Sequence, residues 1–167
     1  MKKTTQEKYG LEKSIWTADD FEKMGWHDGT IYAWYLKEKF ELVLDIDYLF
    51  HWVAPTNKRN YYKFWISPCT LIFENVYDLK IDLEISEPYE VKINDIHCEN
   101  PQRPRNANFI NHDTEYNWII DAFQGQITFK SVGFKLFVRK RPILQKKQNI
   151  GIKKRNGISF NKRSIRI

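Results

Sequence analysis

The segment from Glu41 to Trp52 alternates between two kinds of position more clearly than any other part of the chain. One side of it is entirely apolar and consists of Leu42, Leu44, Ile46, Tyr48, Phe50 and Trp52. The other side carries Glu41, Asp45, Asp47 and His51 together with Val43 and Leu49. A period of two residues predicts a strand, and one packed face with one solvated face is typical of antiparallel sheets. We therefore expect this segment to lie in a half-buried antiparallel strand.

Further segments follow the same period and are separated by turn residues. The predicted strands cover residues 30–36, 42–52, 61–67, 70–75, 79–85, 91–96, 116–123, 127–132 and 134–138. Prolines limit some of them, because proline has no amide hydrogen to donate to a ladder. We expect a break between two strands at Ser67-Pro68, and a surface loop over residues 100–106, which contain Pro101 and Pro104.

One short helix is predicted before the first of these strands, over residues 18–24. Thr17 and Asp20 resemble a capping box, and Phe21 would face inward. Gly25 then suits the left-handed conformation of a C-cap. Many short strands with one short helix predict an α+β fold that is mostly antiparallel β, either a sandwich or an open barrel.

Length and composition predict the domain organisation. A chain of 167 residues, with 42% hydrophobic and 16% aromatic residues, suffices for one compact domain. We expect a flexible N-terminus over 1–14, a single mostly-β domain over 15–141 and a basic C-terminal tail over 142–167. The chain has no apolar segment behind its charged N-terminus, no run of about 20 apolar residues, and two cysteines that make no disulfide framework. These features predict a cytoplasmic protein without a membrane span.

The net charge of +6 conceals an asymmetry. Residues 135–167 hold twelve of the 27 basic residues and no acidic residue, which leaves 15 basic and all 21 acidic residues in the first 134, a net charge of −6. Three explanations stay open: the tail folds back on the acidic body, it binds a protein partner, or it binds nucleic acid. The residues available for an acidic partner or nucleic acid are Lys146, Lys147, Lys153, Lys154, Arg155, Lys162 and Arg163.

The chain contains no signature of a known reaction, since a serine nucleophile elbow, a phosphate-binding glycine loop and a dinucleotide fingerprint are all absent. Asp45, Asp47 and His51 share one strand face and, with His27 and Asp28, would offer ligands to a divalent metal. Their spacing matches no metal motif, so we prefer to interpret them as polar residues of a solvated face. We expect no catalytic residue, no metal and no cofactor.

The stretch MGWHDGTIYAWYL connects the predicted helix to the first predicted strand. We interpret Trp26, His27 and Asp28 within it as a structural corner. Asp28 would accept backbone hydrogen bonds in the turn, His27 would anchor it, and Trp26 would pack inside.

Several stretches carry a resemblance: the Trp-His-Asp corner, LDIDYLFHW, SPCTLIFENVYDL and GQITFKSVGFKLFVRKRPIL. They look like a group of small uncharacterised bacterial proteins, and the similarity runs from about Trp16 to the tail. The Trp-His-Asp corner is also similar to one in some immunity-protein families of bacterial polymorphic toxin systems. This resemblance implies a small cytoplasmic protein, without a cofactor, that neutralises a cognate toxin by direct binding.

The sequence therefore favours a non-catalytic protein-binding module, most concretely an immunity-type inhibitor. Acidic strand faces suit a basic toxin such as a nuclease, and exposed aromatic residues suit hot-spot anchors. The expected interface residues are Glu41, Asp45, Asp47, His51, Tyr61 and Trp65. The first alternative is a nucleic-acid-associated protein that binds through the tail. The second is a metal-dependent enzyme that uses Asp45, Asp47 and His51.

Overall fold

The protein folds around one antiparallel sheet of ten strands. The computed structural model describes residues 8–58, 60–86 and 90–167. The strands are β1 (Ile15–Thr17), β2 (Thr30–Lys37), β3 (Glu41–Val53), β4 (Lys63–Glu74), β5 (Tyr77–Leu83), β6 (Val91–Gln102), β7 (Glu115–Ala122), β8 (Gly125–Ser131), β9 (Gly133–Val138) and β10 (Ile143–Gln145). They lie in the order β1-β9-β4-β3-β2-β6-β7-β8-β5, and β10 also pairs with β4. The prediction of a mostly antiparallel β-protein is confirmed.

The pairing within the sheet is shortest where β2 meets β6, since these strands share just two residue pairs. β1, β9, β4, β3 and β2 form one half, and β6, β7, β8 and β5 form the other. Aromatic rings join the two halves: the Phe73 ring of β4 lies 5.2 Å from Trp118 of β7 and 4.7 Å from Phe129 of β8. The architecture is that of a β-sandwich whose two layers remain connected along one edge.

The helix predicted over 18–24 is a 3₁₀-helix of six residues, Ala18–Lys23, and the described part of the chain contains no α-helix. Phe21 does face the core, where its ring meets Trp118 edge-on at 5.3 Å. The left-handed cap predicted at Gly25 is wrong, because the helix ends at Met24 in an extended conformation (φ −92°, ψ 140°). Short 3₁₀ turns have poorly aligned hydrogen bonds and rarely continue. The described residues therefore show a mostly antiparallel β-fold with 3₁₀ turns, and they do not show the short α-helix of the expected α+β class.

The strand break predicted at Ser67-Pro68 is wrong, and β4 continues through both residues. On one side of β4, pairing with β10 ends at Ile66 and pairing with β9 starts at Cys69. Pro68 lies opposite the gap between these two strands, and its carbonyl oxygen accepts a 3.1 Å hydrogen bond from the Arg139 amide. The missing amide hydrogen therefore interrupts no ladder.

Pro101 also lies within a strand rather than in the predicted loop, because β6 extends to Gln102. The register between β6 and β7 shifts between Glu99 and Gln102. Asn100 adopts a left-handed conformation there, with φ 53°. A bulge of this kind removes residues from the ladder, so the strand tolerates a proline at this point.

Described residues near both ends of the chain pack against the sheet. Residues 1–7 lie outside the described residues, but Leu11 is buried and the Tyr9 ring lies 5.5 Å from that of Trp65. The flexible N-terminus expected over 1–14 stays a prediction, although Tyr9 and Leu11 contact the body. At the other end, β10 extends the sheet and the Ile165 amide donates to Val138 at 2.9 Å. Among the described residues, no helix has the length and apolar character needed to cross a membrane.

Candidate functional site

The outer face of β3 is covered rather than solvated. Asp45 and Asp47 are fully buried, although the sequence predicts that they lie on a solvated face. The cover is residues 150–161, which we call the C-terminal segment and which contact both carboxylates. The expectation that these two aspartates are available to a partner is therefore wrong, because an ordered part of the same chain occupies their face.

Arg155 lies at the centre of this contact, and its side chain is fully buried. Its Nη1 and Nη2 atoms each donate to one carboxylate oxygen of Asp45 at 2.7 Å, and its Nε atom donates to Asp47 at 3.1 Å. The guanidinium carbon also lies 4.2 Å from the centre of the Tyr32 ring. Arginine suits this position because its planar fork binds a carboxylate through two parallel bonds and stacks on aromatic faces.

Backbone amides of the C-terminal segment complete the hydrogen bonding of the carboxylates. The Ile150 amide donates to Asp47 at 2.7 Å, and the Ser159 amide donates to Asp45 at 2.8 Å. The Tyr32 hydroxyl donates to Asp47 at 2.8 Å. Burial, with a further contribution from the Asp47 charge, raises the pKa of Tyr32, so its hydroxyl remains a proton donor.

Arg139, directly after β9, is the second cation of the network. Its Nη2 atom donates to Asp45 at 2.6 Å, and its Nη1 atom donates to the Thr70 hydroxyl at 2.7 Å. Burial alone would lower the pKa of Arg155, but the hydrogen bond to Asp45 and the charges of both aspartates outweigh it and raise the pKa. Two arginines thus balance two aspartates in a buried network.

The geometry of these residues does not match a metal centre. The Asp45 carboxylate already accepts bonds from Arg139, Arg155 and Ser159. His51 is exposed on β3, beyond a register shift that separates it from the buried aspartates. Within the described ranges, no group of three or more His, Cys, Asp or Glu residues is placed to hold a metal ion. The network's chemistry is instead to fasten the C-terminal segment to the sheet.

The corner at residues 26–28 joins the body to the tail. Trp26 is buried, with its ring 5.5 Å from that of Phe134. Asp28 adopts a left-handed conformation (φ 65°) and donates its amide to Ile93 at 3.0 Å. Its carboxylate accepts a 2.7 Å hydrogen bond from the Gln148 side chain, whereas the sequence predicts bonds from the amides of its own turn.

An exposed aromatic cluster lies where β3 ends and β4 begins, and we call it the aromatic end: His27, Trp52, Tyr61 and Tyr62. His27 stacks on Trp52 with ring centres 6.0 Å apart, and its Nδ1 atom lies 3.0 Å from the Asn94 carbonyl oxygen. Tyr62 meets Trp52 edge-on at 5.9 Å. Tyr61 is 83% exposed and, within the described part of the chain, its ring has no aromatic partner. Tyr61 is thus the ring of this cluster most available for contact.

Two open grooves lie on either side of Tyr61. One has a volume of about 420 Å³ and is bounded by the β3–β4 loop and Lys63. The other has a volume of about 620 Å³ and is bounded by Glu90 and Lys147. Lys146 lines both grooves. Of the charged side chains that line the grooves among the described residues, four are lysines (Lys63, Lys92, Lys146 and Lys147) and one is Glu90.

The remaining predicted interface residues are not brought together. Trp65 is 8% exposed, so its prediction as an exposed anchor is wrong, because both faces of β4 are buried. Glu41 begins β3, far along the strand from the aromatic end, and forms a 3.2 Å ion pair with Lys162. Of the predicted tail cations, Arg155 is buried and the rest are exposed: Lys146, Lys147, Lys153, Lys154, Lys162 and Arg163.

The cysteine chemistry also argues against a nucleophilic site. Burial raises the pKa of the Cys69 thiol far above its usual range. Burial, with a smaller effect of the Glu22 charge, raises the pKa of Cys98 to about 11. Both thiols are therefore protonated at neutral pH, whereas a nucleophile needs the thiolate.

The sequence did not identify the partners that hold the three aspartates predicted to lie at functional or structural positions. Tyr32 and Arg139 hold Asp47 and Asp45, and Gln148 holds Asp28. The available signal was two carboxylates in the stretch from Leu42 to Phe50, which is otherwise apolar, in a chain whose last 33 residues contain only basic charges. No protein-family model, no curated protein and no solved structure matches the chain.

Proposed function

We propose that this protein is a non-catalytic protein-binding module, an immunity-type inhibitor that neutralises a toxin by binding it through the aromatic end. The observation that carries the proposal is Tyr61, whose side chain is 83% exposed between two grooves. Tyrosine and tryptophan dominate the energetics of protein interfaces because they bury large area and lose few rotamers. An exposed tyrosine with such surroundings is a suitable anchor for a partner.

The buried network supports the non-catalytic part of the proposal. Asp45 and Asp47, the acidic pair that an enzyme would use, are saturated by arginine and backbone donors. A general base or a metal ligand needs a free lone pair directed toward a substrate or an ion. In this protein the same atoms hold the chain together, which suits a stable scaffold that presents a surface.

Substitution of the anchor tests the proposal. The probe is the product of a toxin-like reading frame adjacent to the gene, in a growth-rescue assay and in a titration with the purified protein. We expect Tyr61→Ala to weaken binding by about 2 kcal/mol, roughly 30-fold in Kd, and to reduce rescue. Because truncation leaves the fold intact at such an exposed position, circular dichroism should be unchanged.

Phe109 provides the matched control, since it is 89% exposed but lies in the 3₁₀ turn Ala107–Phe109, away from the grooves. Phe109→Ala should bind the toxin as the wild type does. Equal binding by Tyr61→Ala and the wild type would exclude the aromatic end as the interface. A neighbouring toxin that the wild-type protein neither binds nor neutralises would refute the immunity-type function itself.

A further inference from the structure

Resting on the proposed function, we infer that the part of the partner that lies on the aromatic end is an acidic peptide segment, with carboxylates directed at Lys63, Lys146 and Lys147. These three side chains are exposed and line the grooves on the two sides of Tyr61. Within residues 8–58, 60–86 and 90–167, none of their ammonium groups forms an ion pair. Glu90 is the one acidic side chain among the described residues that line the grooves, so the described part of the aromatic end carries an excess of positive charge.

Elsewhere on the surface, several lysines have an acidic neighbour. Lys135 pairs with Glu74 at 2.7 Å, Lys162 with Glu41 at 3.2 Å, and Lys130 approaches Asp78 at 3.3 Å. Lys153 is exposed and also has no ion pair within the described residues, but it lines neither groove, whereas Lys63, Lys146 and Lys147 lie together around Tyr61. The carboxylate of Glu90, which lines the second groove, accepts a 2.8 Å hydrogen bond from the Asn149 side chain. Charge complementarity at an interface favours encounter with the opposite charge and rejects like charge. The partner segment that fits is therefore acidic.

The position of Lys146 makes this charge a fixed feature of the fold. Lys146 directly follows β10, which pairs with β4, so its backbone is held at the edge of the sheet. Gln148, two residues further on, is bound both to Asp28 at 2.7 Å and to the Lys92 side chain. A segment fastened at both ends loses little conformational freedom when a ligand binds beside it, which favours affinity.

An acidic protein segment fits this surface better than a nucleic acid does. Single-stranded nucleic acids need a row of free aromatic faces for successive bases. At the aromatic end, His27 already stacks on Trp52 and Tyr62 meets the same ring, so among the described residues Tyr61 is the ring of this cluster without an aromatic partner. Among the described residues, the grooves are also lined by lysines rather than arginines, and lysine lacks the fork that binds phosphate through two bonds. Arg139 and Arg155 are committed to Asp45. The exposed arginines that follow β9, Arg141, Arg163 and Arg166, line neither groove.

Fluorescence anisotropy of the full chain with three labelled probes tests the inference. The probes are a short peptide in which Asp and Glu alternate with Leu, its counterpart with Asn and Gln, and oligothymidylate. We expect binding of the acidic peptide, with an affinity that falls as salt increases, and at least about tenfold weaker binding of the other two probes. Lys146→Glu should weaken acidic-peptide binding by about tenfold or more, because this side chain lines both grooves.

Lys153→Glu is the matched control, since Lys153 is an exposed lysine of the same tail that lines neither groove. The affinity of the Lys153→Glu variant for the acidic peptide should stay within about twofold of that of the wild type. Absence of acidic-peptide binding, equal binding of the neutral peptide, or equal effects of the two lysine variants overturns the inference. Preferential binding of oligothymidylate overturns it in favour of nucleic acid. If toxin binding still depends on Tyr61 but not on Lys146, the acidic segment is refuted while the binding module stands.

Discussion

Glu115, at the start of β7, is a buried carboxylate that the sequence does not single out. It is 2% exposed, and its Oε2 atom has no hydrogen-bond partner among the described residues. Burial raises its pKa, an effect that the charges of Lys130 and Arg105 oppose without cancelling it. Because the folded state disfavours the charged form, Glu115 costs stability whenever it is ionised.

Replacing Glu115 by glutamine should therefore stabilise the protein at neutral pH, by about 1 kcal/mol. A carboxyl group with a raised folded-state pKa contributes stability below its unfolded-state pKa and loses that contribution as the pH rises through the folded-state value. The advantage of Glu115→Gln should thus be largest near pH 7 and shrink as the pH falls toward the range in which wild-type Glu115 is protonated. Urea unfolding across this pH range measures it.

Glu84→Gln is the control for that comparison. Because Glu84 is exposed, this substitution should have little effect on the protein's free energy of unfolding across the same pH range. A difference between Glu115→Gln and the wild type that is independent of pH would show that the carboxyl group titrates normally. The effect would then come from packing rather than from the buried charge.

Among the individual residues, the sequence identified Asp45 and Asp47 as unusual, but it did not identify the residues that bind them. Arg155 lies 110 residues after Asp45, and Ser159 lies 114 residues after it. A pattern of period two reports on neighbours along the strand, and it carries no information about which distant segment covers a face. The sequence therefore predicts where β3 lies, but it could not predict that both faces of β3 are buried.

At the scale of the elements, the attachment of the C-terminal segment to β3 depends mainly on the Arg155 side chain. Arg155→Met should lower the free energy of unfolding by about 3–5 kcal/mol, because it leaves two carboxylates buried with one cation. Lys153→Met, in the same turn but exposed, should change it by less than about 0.5 kcal/mol. The midpoint of urea unfolding, at an unchanged dependence on urea concentration, measures both values.

Combining Arg155→Met with Asp45→Asn sharpens this test. The second substitution removes one of the carboxylates that Arg155 neutralises, so the double variant should lose less stability than the sum of the single variants, by roughly 1–3 kcal/mol. Additive losses would mean that the two side chains stabilise the fold independently. The interaction energy between Arg155 and Asp45 would then be close to zero despite the short distances between them.

The elements themselves were predictable to different degrees, for physical reasons. β3 runs over Glu41–Val53, one residue beyond the prediction at each end, because its alternation is regular. Pro68 and Pro101 misled the prediction, since the cost of proline depends on what lies opposite its missing amide hydrogen. A gap between two strands and a bulge supply that tolerance, and neither is visible in the local sequence.

For the whole molecule, the charge asymmetry is the feature that the sequence described best. The tail does fold back on the body, where Arg155 meets Asp45 and Asp47. Self-pairing accounts for part of the tail charge, since exposed lysines remain at the aromatic end. The sequence could state the imbalance between the two parts of the chain, but only the fold divides the cations into buried and accessible ones.

The division of the chain into a domain over 15–141 and a tail over 142–167 has a consequence that hydrogen exchange can measure. Because the buried aspartates need Arg155, the C-terminal segment should open only when the whole protein unfolds. We expect the Ile150 and Ser159 amides, which donate to Asp47 and Asp45, to exchange with an opening free energy within about 1 kcal/mol of the global value. The amide of Leu44, in the core of β3, gives that global value.

The Lys162 amide, in an exposed stretch with no regular secondary structure, serves as the internal control and should exchange through local fluctuations at a much lower free energy. If Ile150 and Ser159 exchanged as easily as Lys162 while Leu44 stayed protected, the segment would open as an independent unit. Opening of the segment would break all its bonds to Asp45 and Asp47 at once and would uncover Leu49 and Ile66, against which Ile150 packs. Because the segment loses these contacts together, we expect it to open with the rest of the protein as a single cooperative unit.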